Sequence, residues 1–94
     1  MLTKREKGIC YEKGRGTSKD LIRALEYYKI GAELADVDAI FHVAYYTMQE
    51  ASSLDSQDKY IEATDLFREV ASKDPLHADA FYYLGFLFEN GKKN

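Results

Sequence analysis

The chain of 94 residues has no tryptophan, one cysteine and one proline. The lone cysteine, Cys10, excludes a disulfide within the chain and favours a reducing compartment. It reads as a small hydrophobe on a helix. The lone proline, Pro75, leaves long stretches free of helix breakers. Hydrophobic runs are short: nothing approaches the roughly 18 to 20 apolar residues of a membrane span, and residues 1–8 lead into no apolar segment of signal-peptide kind. An excess of positive charge is also missing. Thirteen Lys and Arg against sixteen Asp and Glu give a formal charge of −3, which offers phosphate backbones no general attraction. The basic groups Lys4-Arg5-Lys7 and Lys92-Lys93 read as solvated charge at the chain ends. From these absences we expect a cytoplasmic protein that binds no nucleic acid and inserts into no membrane.

Motifs that would carry chemistry are equally scarce. His42 and His77 lie far apart, and neither has a tight ligand spacing to the other or to Cys10, so no metal site is expected. Gly14-Arg15-Gly16-Thr17 lacks the preceding strand and the Gly-Lys-Ser/Thr ending of a phosphate-cradling loop, and a turn between helices accounts for both glycines. The carboxylates Glu26, Glu62, Asp65 and Glu69 fall on expected outer helix faces, where no cleft would tune an acid or a base. The chain is therefore expected not to be an enzyme, to need no cofactor and to take no small-molecule substrate.

What is present is a chain of 46% hydrophobic and 31% charged residues, the composition of a folded domain rather than a disordered one. It is internally repetitive. Gly8-Ile9-Cys10-Tyr11-Glu12-Lys13-Gly14 matches Gly85-Phe86-Leu87-Phe88-Glu89-Asn90-Gly91: each has an aromatic three residues after the first glycine, and each closes on Glu-x-Gly. Asp38 to Ala44 matches Asp79 to Gly85, and Arg23 to Ala32 matches Glu62 to Ala71, which places Tyr28 over Phe67. The repeating unit, about 36 to 41 residues, reads as helix, loop, helix.

Apolar spacing of three and four predicts helices over 20–35, with Leu21, Ala24, Leu25, Tyr28, Ala32 and Ala35 as one stripe, and over 38–51, with Ala39, Val43, Ala44 and Met48. A third is predicted over 59–73, with Tyr60, Ala63, Phe67, Val70 and Ala71 inward, and a last over 77–89. Residues 3–13 read as a partial first helix weakened by Gly8. Ser18 or Asp20 offers a side-chain oxygen to cap the helix that follows the Gly14–Gly16 turn. The polar run 52–58 predicts a longer loop, and Pro75 either ends one helix or opens the next. The expected organisation is one helical repeat domain over 1–94: a partial first repeat over 1–16, a helix pair over 17–51 and a second pair over 59–91. Small residues such as Ala24, Ala39, Ala63, Ala80 and Gly85 would let helix backbones approach, with Tyr28, Phe67, Leu84 and Phe88 filling the space between.

These residues resemble the Sel1-like repeats, relatives of the tetratricopeptide repeat. Gly8, Tyr11, Gly14 and Gly16 stand where that family's first helix and glycine turn are expected, and Asp20, Arg23, Ala24, Tyr27, Tyr28, Gly31 and Ala32 where its second helix is. The later copies depart from the pattern: Thr47 replaces an aromatic, Glu50 and Lys93 replace glycines, and Asp74-Pro75 is closer to a tetratricopeptide ending. The resemblance spans nearly the whole chain, which would begin inside one unit and end after a first helix, as a piece of a longer array would. It implies an all-α fold of about five helices, in antiparallel pairs stacked as a short right-handed α-solenoid, and a role as a protein-binding scaffold or adaptor.

If Ala80, Leu84, Leu87 and Phe88 face the stack, the other flank of the last helix carries Asp79, Tyr83, Phe86 and Asn90, and the aligned positions are Asp38, His42, Tyr45 and Gln49. A row of aromatic, histidine and amide side chains suits a surface for a partner peptide or helix, so His42, Tyr45, Gln49, Tyr83, Phe86 and Asn90 are the candidate protein-binding residues. Packing within the repeat accounts equally for Tyr45, Tyr83 and Phe86, and Tyr46 reads as filler between helices. The alternative function is a structural spacer, or a flank that self-associates through unfinished repeat ends.

Overall fold

In the computed structural model, which describes residues 1–90 and the backbone alone at Asn90, five helices follow one another: α1 (Lys4–Lys13), α2 (Leu21–Glu33), α3 (Val37–Leu54), α4 (Gln57–Lys73) and α5 (Ala78–Asn90). No strand occurs among the described residues. Gly91, Lys92 and Lys93, which entered the repeat comparison and the charge reading, lie outside them.

Local chemistry sets the helix ends. The Thr3 hydroxyl accepts from the amide of Glu6, and the Glu6 carboxylate accepts in return from the amide of Thr3, which occupies two amides that the helix leaves open. At the other end Gly14 takes φ +73° and donates its amide to the Cys10 carbonyl, a left-handed cap that a side chain would strain. Asp20 caps α2 through the amide of Arg23, and Asp36 caps α3 through the amides of Asp38 and Ala39. Ser56 does the same for α4 at Lys59. Pro75 belongs to neither helix; it stands in the turn after Asp74, the residue that caps the end of α4.

Three expectations change at these ends. The long loop over 52–58 shrinks to Asp55-Ser56, because α3 runs on to Leu54 and α4 begins at Gln57. Ser52 and Ser53 lie exposed on the helix, where they cost only propensity, and Asp55 turns the chain at φ +50°, a region that short polar residues tolerate. The stripe over 20–35 also narrows: Leu21 is 53% exposed, and Ala35 lies beyond the helix with φ +66°. Gly8, finally, is no weak point of α1. It is buried beneath Tyr28, and a Cβ built there would stand 2.7 Å from Tyr28 Cε1.

The packing falls into two compact units, residues 1–43 and residues from 44 onward, with the division inside α3. In the first, α1 packs along α2. Gly31 near the end of α2 approaches Lys4 and Arg5 at the start of α1, and the place of its missing Cβ lies 2.9 Å from Ala39 Cβ. Tyr11, late in α1, stacks on Tyr27 with ring centres 5.7 Å apart, and Arg5 reaches α3, with Nη1 2.6 Å from Asp38 Oδ2 and Nε 3.5 Å from Asp36 Oδ2. In the second, α4 packs on α5. Phe67, Val70, Ala63 and Ala80 are fully buried there, and Leu87 nearly so. Ordering Phe67 in that core stabilises the unit by about 1.5 to 3 kcal/mol through the area it removes from water.

Candidate functional site

Burial decides which of the six candidate residues share a surface. His42 belongs to the first unit. Its ring stacks on Tyr28 at 4.3 Å between centres and 17° between planes, and its Nδ1–H donates to the Asp38 carbonyl at 2.7 Å. The ring contact ties α3 to α2, and the hydrogen bond holds the imidazole to its own helix.

The other candidates belong to the second unit, where Tyr45 on α3 and Tyr83 on α5 meet edge to face at 5.7 Å. Tyr83 stacks at 5.4 Å on Phe67, whose side chain is fully buried on α4, so Tyr83 is anchored to the core more than it is displayed. Burial pushes the Tyr83 hydroxyl above the usual phenol range, and the neighbouring Tyr45, Asp79 and Tyr82 act in the same sense. The face assigned to α5 from the sequence is corrected at Phe88, which was expected inside but is 55% exposed with the guanidinium of Arg68 over its ring at 5.7 Å; Tyr83 is half-buried.

Gln49, one turn beyond Tyr45, is exposed and donates its amide to the Tyr45 hydroxyl at 2.8 Å. That bond has a chemical consequence. It occupies an acceptor position of the phenol but leaves the phenol's own proton to donate, and it leaves the Gln49 carbonyl to accept. A half-buried aromatic beside a matched donor and acceptor is suited to a peptide backbone or a polar side chain. Phe86 is 44% exposed, on α5 beside Gly85 and Tyr82 in a shallow depression of about 380 Å³. The side chain of Asn90 lies outside the described residues.

Two surfaces went unnoticed in the sequence. A groove of about 330 Å³ runs along α4 and α5, with Tyr60, Ile61, Thr64, Arg68, Leu87 and Phe88 among its walls. The outer face of α5, with Phe81 and Tyr82 at 50% and 67% exposure, was signalled only by the match of Gly85 and Glu89 to Gly8 and Glu12. Among the described residues no group of three or more His, Cys, Asp or Glu could hold a metal ion, and no helix is long and apolar enough to cross a membrane.

The chain matches no family model, no curated protein and no solved structure. Five sequential helices are observed; the Sel1-like likeness rests on the residues that carry it.

Proposed function

We propose that this chain is a cytoplasmic protein-interaction module of Sel1-like type, built of antiparallel helix pairs and with no catalytic role, which holds a peptide or helix of another protein. The observation that carries the reading is the cluster of Tyr45, Gln49 and Tyr83. A core-anchored ring supports an aromatic with a free hydroxyl proton and an exposed amide, a fixed mixture of apolar area and hydrogen-bonding groups. Rigid tyrosines of this kind give contact area at small entropic cost, and a repeat scaffold offers extended surfaces rather than enclosed pockets.

The test is quantitative affinity capture from the source cells, comparing the natural chain with a folded Tyr45→Ala, Gln49→Ala double variant. A partner held by the first and lost by the second is expected. Equal capture by both removes the site from this cluster, and specific capture by neither overturns the binding function.

A further inference from the structure

The α1–α2 pair works by a simple seating rule. The Tyr28 ring of α2 fills the place of a side chain at Gly8, and its hydroxyl donates to Glu12 Oε1 at 2.8 Å, one turn further along α1. Ala24 lies one turn before Tyr28, and Gly31, three residues after it, meets the start of α1. The seat is thus Gly-x-x-x-Glu on one helix, and the inserted motif is Ala-x-x-x-Tyr-x-x-Gly on the other.

Helix α5 carries both. Gly85 and Glu89 repeat Gly8 and Glu12, while Ala78, Tyr82 and Gly85 repeat Ala24, Tyr28 and Gly31 at identical spacing. All four fall on one side of the helix, at intervals of four, three and four, and all four are exposed. Among the described residues, and apart from its own chain neighbours and helix backbone, nothing comes within 4 Å of where a Cβ would stand at Gly85, so the seat that Tyr28 fills at Gly8 is empty here.

We propose that α5 pairs with α5 of a second copy of this chain, antiparallel about a twofold axis, with Tyr82 of each copy seated on Gly85 of the other and its hydroxyl donated to Glu89. The arrangement closes on itself. In the α1–α2 pair Gly8 lies across from Tyr28 and Glu12 across from Ala24; setting Tyr82 across from the second copy's Gly85 sets Ala78 across from the second copy's Glu89, and the twofold axis repeats both relations in the other half. A self-complementary helix needs no other partner chemistry, and Phe81 and Phe86 flank the seat with apolar area on either side.

The buried area sets the strength. At about 200 Å² for an aromatic side chain, the exposed parts of Phe81, Tyr82 and Phe86 supply about 300 Å² per copy, or about 600 Å² for the pair before Ala78, Gly85 and Glu89 are added. Stable dimers bury upwards of about 1,200 Å², so this one is weak and transient, with a dissociation constant above about 1 µM. The proposal does not rest on the peptide-binding reading, because Tyr45 and Gln49 take no part in it.

Sedimentation equilibrium of the full chain, up to about 1 mM, tests it. The natural chain should move from monomer to dimer across the series. Gly85→Ala should shift the dissociation constant at least about tenfold while circular dichroism shows the helix content kept, and Tyr82→Ala should do the same from the other side of the contact. Mixing the two variants supplies the decisive reading: the heterodimer contains one intact seat and one vacant seat without a clash, so the mixture should associate more strongly than either variant alone. A monomeric natural chain at the highest concentration overturns the proposal and leaves the face to a different partner. A dimer that Gly85→Ala leaves untouched overturns it equally, since association then uses another surface.

Discussion

The ring of Tyr28 lies where a side chain at Gly8 would otherwise be, 2.7 Å from the place of its Cβ. This one relationship locks the first two helices in register and explains why a residue unfavourable to helices sits in the middle of α1.

Substituting Gly8 by alanine therefore sets two effects against each other. Alanine improves helix propensity by about 1 kcal/mol, but forcing a methyl group against a fully buried ring costs about 1 to 3 kcal/mol. We expect a net loss, read as a lower Tm. Gly85→Ala, where the space is open, should raise the Tm of the dilute protein. A Gly8→Ala protein that melts higher than the natural chain would remove the seating argument at its root.

The hydroxyl of Tyr28 should be separable from its ring. Tyr28→Phe keeps the ring and deletes the bond to Glu12, for an expected loss of about 1 to 2 kcal/mol in denaturant unfolding. In a double-mutant cycle with Glu12→Gln the two losses should fall well short of additive.

Phe67 is the corresponding anchor of the second unit, fully buried and stacked on Tyr83. Phe67→Ala removes a ring from a closed core and should cost about 3 to 5 kcal/mol, seen as loss of helical circular dichroism or a sharp fall in Tm. Ile61→Ala, on the same helix but 53% exposed, should change stability by no more than about 0.5 kcal/mol.

Raised pH should weaken the second unit through Tyr83. Its folded pKa lies above the ordinary value of 10.0 because burial disfavours the phenolate. The stability linked to the neutral phenol is complete below the unfolded pKa and is lost as pH rises through the folded one. A spectroscopic titration of tyrosinate should show a late-ionising component that is absent in Tyr83→Phe. If Tyr83→Phe removes no late-ionising component from the curve, Tyr83 is not held as described.

Asp38 is half exposed in its ion pair with Arg5, so Asp38→Ala should cost at most about 1 kcal/mol and less still in high salt.

Much of this was legible in the chain. Aligning Arg23 to Ala32 with Glu62 to Ala71 put Tyr28 over Phe67, and these are two of the largest fully buried side chains. Spacing alone marked them, because each lies one turn after an alanine, Ala24 or Ala63, that is also buried. The faces of α5 were not legible in that way. Phe81 through Leu84 and Phe86 through Phe88 make the helix apolar all round, and a periodic argument has no polar side to work against. It placed Phe88 inside, whereas Phe88 is 55% exposed, and it left Tyr83 open between surface and packing, where the half-buried ring stacks on Phe67.

Local sequence marked the succession of helices among the described residues, the Gly14 turn and the alanine-aromatic positions of the core, all of which depend on residues within a few places of one another; it left the cap of α2 open between Ser18 and Asp20. Tertiary structure alone decided that Gly8 is a seat and not a defect, and that Tyr83 stacks on the buried ring of Phe67. In each case the outcome depends on what another helix brings to within a few ångströms, and local propensity, worth at most about 1 kcal/mol per residue outside proline, yields to the larger energy of a buried ring.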